Sequence, residues 1–181
     1  YPAPFSPELV RGDYVLCTHG HIDHLAVETL SGIARSDSST RFIVPGAWEK
    51  TLTEAGIGRE RILTAQAGRR MDLPGITVLP VSAAHPEHRT DEDGKDTALC
   101  YLVAMGGIHL LHLGDTYLTD SLLEDLRQLP APHLFFPPIN GGDYFRTKRD
   151  CIGNISYVEA AALACILKAD LTSPTHFDMI E

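Results

Sequence analysis

Six consecutive residues, His19-Gly-His-Ile-Asp-His24, carry three imidazoles and a carboxylate, and that crowding limits what this chain can fold into. A hydrophobic core cannot hold such groups unpaired, and a solvated surface has no use for them at that density. The run follows a short β-rich stretch, "YVLCT" (14–18), and leads into "LAVETLSGIA" (25–34), where apolar residues at 25, 27, 30, 33 and 34 recur near the helical period. The fold must therefore deliver the group at a strand end, with a helix starting directly behind it. His19 and His21 are two apart and share a side of an extended segment. Asp23 and His24 come as the chain turns into the helix and point elsewhere. One pair can grip one metal ion and the other pair a second. Imidazole together with carboxylate suits Zn²⁺, Mn²⁺, Fe²⁺ or Co²⁺, and two such ions about 3.5–4 Å apart can share a hydroxide and polarise a substrate oxygen.

The rest of the chain alternates strands and helices. Strand-like runs fall at 41–45, 61–65, 75–84 and 133–137, and a last strand opens the stretch 171–177. The stretch 97–115 reads as two strands joined by a hairpin turn at Gly106-Gly107. Pro45 suits the first turn of a helix running to Gly56, residues 119–129 form a helix capped by Thr119 or Asp120, and residues 156–169 form another with a Ser156/Glu159 capping box. This alternation predicts an α/β layered fold whose sheets are mixed, because of the hairpin. His19, His85, Asp115 and His176 each follow a strand, so they converge at one edge of the sheets. Asp115, in "HLGDT", is placed to bridge the two ions.

The bounds agree with one globular domain over 1–181. The 181 residues are 44% hydrophobic, enough for a real core. The net charge of −9 argues against an extended nucleic acid as partner. Cysteines at 17, 100, 151 and 165 show no C-x-x-C pairing, which reads as reduced thiols of a cytoplasmic protein; Cys17 packs as a small apolar residue. No apolar run is long enough to span a membrane, and no basic-then-apolar leader opens the chain. His109 and His112 lie on opposite faces of a hairpin strand and read as sheet histidines; His133 reads as structural.

"THGHIDH", "AAHPEH", "LGDT" and "PTH", in that order, resemble the metallo-β-lactamase superfamily. Within it, "HGHIDHL", "HLGDTY", "INGGDYFRTKRDCIGN" and "PTHFDMI" are most similar to the L-ascorbate-6-phosphate lactonase-like branch of metal-dependent hydrolases. The resemblance runs from about Asp13 to the end of the chain. It implies an αβ/βα sandwich and two divalent metal ions, zinc or manganese. It implies His19, His21 and His85 on the first ion, with His88, three residues on, as the alternative to His85. Asp23, His24 and His176 would hold the second ion, with Asp115 bridging and with Asp23 and Asp115 as the catalytic carboxylates. Members of the superfamily carry strands ahead of the first motif, and relatives continue past the last one. The chain is therefore expected to be incomplete, with the leading part supplied as a separate fragment or chain; a homo-oligomer is also compatible.

The expected activity is hydrolysis by a metal-bridging hydroxide on a small polar substrate, a lactone or a phosphorylated sugar-like ester. No G-x-S-x-G elbow offers a side-chain nucleophile. The long loop 139–154 carries Arg146, Lys148 and Arg149, candidates for a substrate phosphate or carboxylate; Asn140 and Tyr144 are further substrate contacts. Asp178 is a candidate partner for the free N–H of a ligand histidine. Two other readings stand beside this one: a phosphodiesterase or nuclease using the same metal cluster, and a metal-binding sensor without catalysis.

Overall fold

The computed structural model describes residues 6–143, 148–149 and 153–177. A 3-10 turn at Pro7–Leu9 precedes β1 (Tyr14–Leu16), α1 (Val27–Ser36), β2 (Arg41–Pro45), α2 (Glu49–Glu54) and β3 (Ile62–Ala65). Then come β4 (Met71–Leu73), β5 (Ile76–Ser82), β6 (Leu99–Met105), β7 (Ile108–His112), α3 (Asp120–Arg127), β8 (Leu134–Phe136), α4 (Tyr157–Leu167) and β9 (Leu171–Thr172). Strands β1, β2 and β3 form a parallel sheet in that order. The other six form a mixed sheet in sequence order, antiparallel from β4 to β7 and parallel from β7 to β9. The parallel joins are those that need a crossover, and α1, α2, α3 and α4 lie in the connections that make them.

The period of two along the strands builds the layers. On β2, Phe42 and Val44 face a cluster with Leu30 and Ile33 of α1 and Leu52 of α2. Ile43, between them, faces the opposite way, into a cluster with Val78, Leu99 and Tyr101 of the second sheet. On β6, Leu99 and Tyr101 face that shared interior, while Cys100 and Leu102 join Leu122, Leu126, Leu163 and Leu167 of α3 and α4. Both sheets are thus covered on both faces, and the order of layers is helix, sheet, sheet, helix. Each fully buried leucine in these clusters contributes roughly 1.5–3 kcal/mol. Among the described residues no helix is long and apolar enough to cross a membrane.

Two elements depart from the expectation. Pro45 ends β2 as expected, in register with Ala65 of β3, but the helix expected directly behind it is not continuous. A 3-10 turn, Gly46–Trp48, then comes before the short α2. This turn lays the Trp48 indole against Gly20, where a Cβ would come within 2.2–2.5 Å of the ring, and Trp48 Nε1 donates to Thr97 O at 2.7 Å. Strand β4 was not expected either: three residues are too few to show a period.

The caps follow the sequence. Thr119 Oγ1 accepts from Leu122 N at 3.1 Å. At α4, Ser156 Oγ accepts from Glu159 N at 3.2 Å while Ser156 N donates to Glu159 Oε2 at 2.7 Å. Ser156→Ala removes one half of this reciprocal pair and should lower stability by about 1 kcal/mol. Urea denaturation checks it; an unmoved midpoint would show that α4 is held by packing alone.

Candidate metal centre

Beyond β1 the chain stays extended. Cys17 N donates to Ile43 O at 2.9 Å, and Thr18 O accepts from Leu99 N at 2.9 Å. His19 bridges Ala98, so the two sheets are stitched together where the histidine run begins. His85 follows β5, Asp115 follows β7, and His176 follows β9 along a bridge from Thr175 to Pro138. His176 has φ of 55°, a left-handed conformation that costs a non-glycine residue of order 1–3 kcal/mol and that aims its ring inward.

The side chains meet in two groups. His19, His21, His85 and Asp115 form one and Asp23, His24 and His176 the other, each with potential ligand atoms within 4.8 Å of one another. His21 Nδ1 lies 3.0 Å from His19 Nε2 and 3.2 Å from His85 Nε2. His24 Nε2 lies 2.9 Å from His176 Nε2 and 3.4 Å from Asp23 Oδ2. Asp115 sits between the groups. Its Oδ1 is 3.3 Å from His24 Nε2 and 3.0 Å from His176 Nε2, and its Oδ2 is 3.8 Å from His85 Nε2.

These residues fit divalent cations. His21 Nδ1 faces two ring nitrogens at once, and a single proton cannot serve both. A cation between them takes a lone pair from each. Nitrogens ~2.0–2.1 Å from a tetrahedral zinc stand about 3.3 Å apart, close to the spacings seen here. Asp115 Oδ1 is buried and lacks a hydrogen-bond partner, a costly state for a carboxylate oxygen that a cation relieves.

Burial pushes the His19 imidazole down to about 3, with the neighbouring His24 adding to it. Burial likewise takes His85 down to about 4. For Asp115 burial acts upward, but the neighbouring His24, then His176, outweigh it and hold the carboxyl well below its ordinary range. In the unfolded chain the imidazoles protonate near pH 6.5. Between that value and about 3–4 the unfolded chain binds more protons than the folded one, so stability falls as pH is lowered through this window. Asp115 acts in the same sense below its ordinary value. The metal-free protein should therefore show a urea midpoint that declines steadily from pH 7 to pH 4; a midpoint constant across that range would contradict it.

His88 is placed apart from both groups. Its ring bonds Ser82 Oγ at 3.1 Å, and Thr119 Oγ1 and Ser121 Oγ at 3.0 and 3.1 Å, beside the start of α3. His133 Nδ1 accepts from His109 N at 3.0 Å. His112 Nδ1 accepts from Gly114 N at 2.9 Å, and the ring lines a cavity of about 440 Å³ with Thr18, Asp23 and His24. Asn140 Oδ1 accepts from Asn154 Nδ2 at 2.9 Å, and Arg149 is exposed. Tyr144, Arg146 and Asp178 lie outside the described residues. Two residues of the centre escaped the sequence reading. Thr18 Oγ1 lies 3.1 Å from His19 Nδ1 and 3.2 Å from His24 Nδ1. Asn154, 2% exposed, helps to hold the Asp115 carboxyl down. The signal for Thr18 was its place directly before the histidine run; Asn154 had none.

The chain is similar to several known proteins. A metal-dependent hydrolase of the UPF0173 group from Archaeoglobus fulgidus is 30% identical over 187 residues, covering 97% of this chain and 71% of that protein. Another from Roseiflexus castenholzii is 26% identical over 171 residues, 91% of this chain but 64% of its own length. The chain thus spans under two thirds of the Roseiflexus relative. Among solved structures, Igni18, a metallo hydrolase from Ignicoccus hospitalis, superposes with a TM-score of 0.70 at 23% identity over 93% of this chain and 65% of that one. CmlA, a diiron β-hydroxylase from Streptomyces venezuelae, gives a TM-score of 0.74 at 15% identity, over 92% of this chain and 36% of that one. The model of the beta-lactamase superfamily domain matches residues 1–177, and with the layered fold and the converging histidines above, the chain belongs to that superfamily.

Proposed function

We propose that this chain is the metal-binding body of a hydrolase that acts on a small polar ester through two divalent cations. The observation that supports this most is the convergence of donor atoms from three separate segments on Asp115, whose buried Oδ1 has no hydrogen-bond partner. His19, His21, His85 and Asp115 would hold one cation, and Asp23, His24 and His176 the other, with Asp115 reaching both. Bound there, such cations polarise a carbonyl or phosphoryl oxygen and make water nucleophilic near neutral pH. Asp23, with 37% of its side chain exposed, is the carboxylate open to solvent, and its Oδ2 takes up the proton that water releases. Asp115 keeps its charge and orients the donors around it.

The donor set is imidazole and carboxylate throughout, which favours zinc or manganese. Cys17 takes no part: its thiol is buried and pushed up to about 12. Asn140, Tyr144, Arg146 and Arg149 belong to the loop that begins after β8, and an arginine there can grip a substrate phosphate or carboxylate in bidentate fashion. A lactone or phosphorylated sugar-like ester matches these groups, and the lactonase-like motifs support it. The Archaeoglobus and Roseiflexus relatives are metal-dependent hydrolases, which supports hydrolysis. The diiron hydroxylase on the same fold shows that the fold alone does not choose the chemistry.

Elemental analysis of protein purified without chelators should find two equivalents of a transition metal. The same preparation, assayed against lactones, phosphodiesters and thioesters, should turn over a lactone, lose that activity to a chelator, and regain it with zinc or manganese. Turnover of phosphodiesters alone would replace the substrate class. Two bound ions with no turnover would leave a metal-binding sensor, and less than one equivalent would overturn the reading.

A further inference from the structure

We propose that Thr18 is a positioning residue whose single hydroxyl fixes the ring tautomers of one histidine in each half of the metal centre, and so couples the two cation sites. The inference rests on the two-cation reading above. Thr18 Oγ1 stands 3.1 Å from His19 Nδ1 and 3.2 Å from His24 Nδ1. His19 belongs to one donor group and His24 to the other, with their ring centroids 4.2 Å apart. Both rings direct Nε2 inward: that of His19 toward His21, that of His24 toward His176 and Asp115.

A neutral imidazole that offers Nε2 as a ligand carries its proton on Nδ1. Two Nδ1–H donors therefore face one hydroxyl oxygen, whose two lone pairs they fill. The hydroxyl proton can go to neither ring while both rings ligate. If Thr18 instead donated to one ring, that Nδ1 would have to be bare, its proton would sit on Nε2, and one donor group would lose an imidazole. The same oxygen thus reports the state of each half to the other.

The hydroxyl is also held in place. Thr18 is 8% exposed, and its carbonyl is tied to Leu99 N. Its side chain fills the space over Gly114, where a Cβ would lie 2.7 Å from Thr18 Cβ and 2.8 Å from its Oγ1. A β-branched side chain in so close a contact keeps one χ1 rotamer. Partners that orient a ligand histidine in this way are each worth about 10–100-fold in metal affinity.

Thr18→Val keeps the shape and deletes the oxygen. The test titrates metal-free wild type, Thr18→Val and Thr18→Ser with Zn²⁺ against a competing chelator, and follows the histidine ring nitrogens by ¹⁵N NMR. Wild type should bind two ions, with His19 and His24 both protonated at Nδ1. Thr18→Val should weaken both association constants together by about 10–100-fold, and Thr18→Ser should restore both. Two constants equal to wild type in Thr18→Val, or a loss confined to one site, would overturn the proposal. If Thr18→Val does not fold, the wild-type spectrum decides: a proton on Nε2 of either ring in the zinc-loaded protein overturns it. Wild type binding fewer than two ions would instead refute the two-cation reading itself.

Discussion

Asp115→Asn should empty both halves of the centre together and lower kcat/KM by ~10³-fold or more. The substitution is isosteric, so packing around this 6% exposed residue hardly changes. The chemistry changes completely. The carboxylate stands within 3.0–3.8 Å of nitrogens from His24, His176 and His85 and serves both donor groups; an amide nitrogen in its place is no ligand. Charge stabilisation by a bound cation is worth several kcal/mol in the transition state, at about 1.4 kcal/mol per tenfold in rate. Elemental analysis and steady-state kinetics on the same preparation check both parts. A variant that keeps two equivalents of metal would remove Asp115 from the bridging position.

The second large effect is on stability. Gly114→Ala should cost about 2–5 kcal/mol and lower Tm by roughly 5–20 °C. Two causes act together. Gly114 has φ of 61°, which L side chains adopt at a cost, and its added Cβ would meet three atoms of Thr18 at 2.7–2.9 Å. Thr18 cannot move aside without leaving His19 and His24. Gly68→Ala is the control: φ is 73°, but nothing lies within 4 Å of the new Cβ, so only the backbone cost of about 1–2 kcal/mol remains. Equal melting temperatures for the two variants would show that the contact with Thr18 is soft.

What could be read before folding was what is local or periodic. The histidine run is local, and few arrangements besides metal ligation account for it. The layered α/β fold was legible because strands and helices alternate along the chain, and the sandwich followed from the resemblance that the motifs carry. The hairpin was legible because a Gly106-Gly107 pair separates two strand-like runs, and both glycines do take positive φ. What stayed hidden depends on contacts made across the molecule. Pro45 ends its strand as the sequence suggests, yet the helix behind it is broken by a 3-10 turn at Gly46–Trp48 that seats Trp48 against Gly20. His85 and His88 share a loop and a residue type; only the turn of His88 toward Ser82 and the start of α3 separates them. Asn154 is brought beside the Asp115 loop where Ile155 N bonds Thr116 O at 2.9 Å, a contact with no trace in either segment's pattern. Thr18 reads as an ordinary strand-end residue until both imidazoles are seen against it.

The order in which the donors occur along the chain sets a timetable for biosynthesis. A ribosome delivers His19 to His24 first, then His85 and Asp115, and His176 about sixty residues after Asp115. If the two donor groups each hold a cation, one of them is complete in the nascent polypeptide while the other still lacks an imidazole. A newly made molecule would then hold its first cation before translation reaches the residue that secures the second, and that early ion would pin the two sheets at a common edge while α4 is still being made.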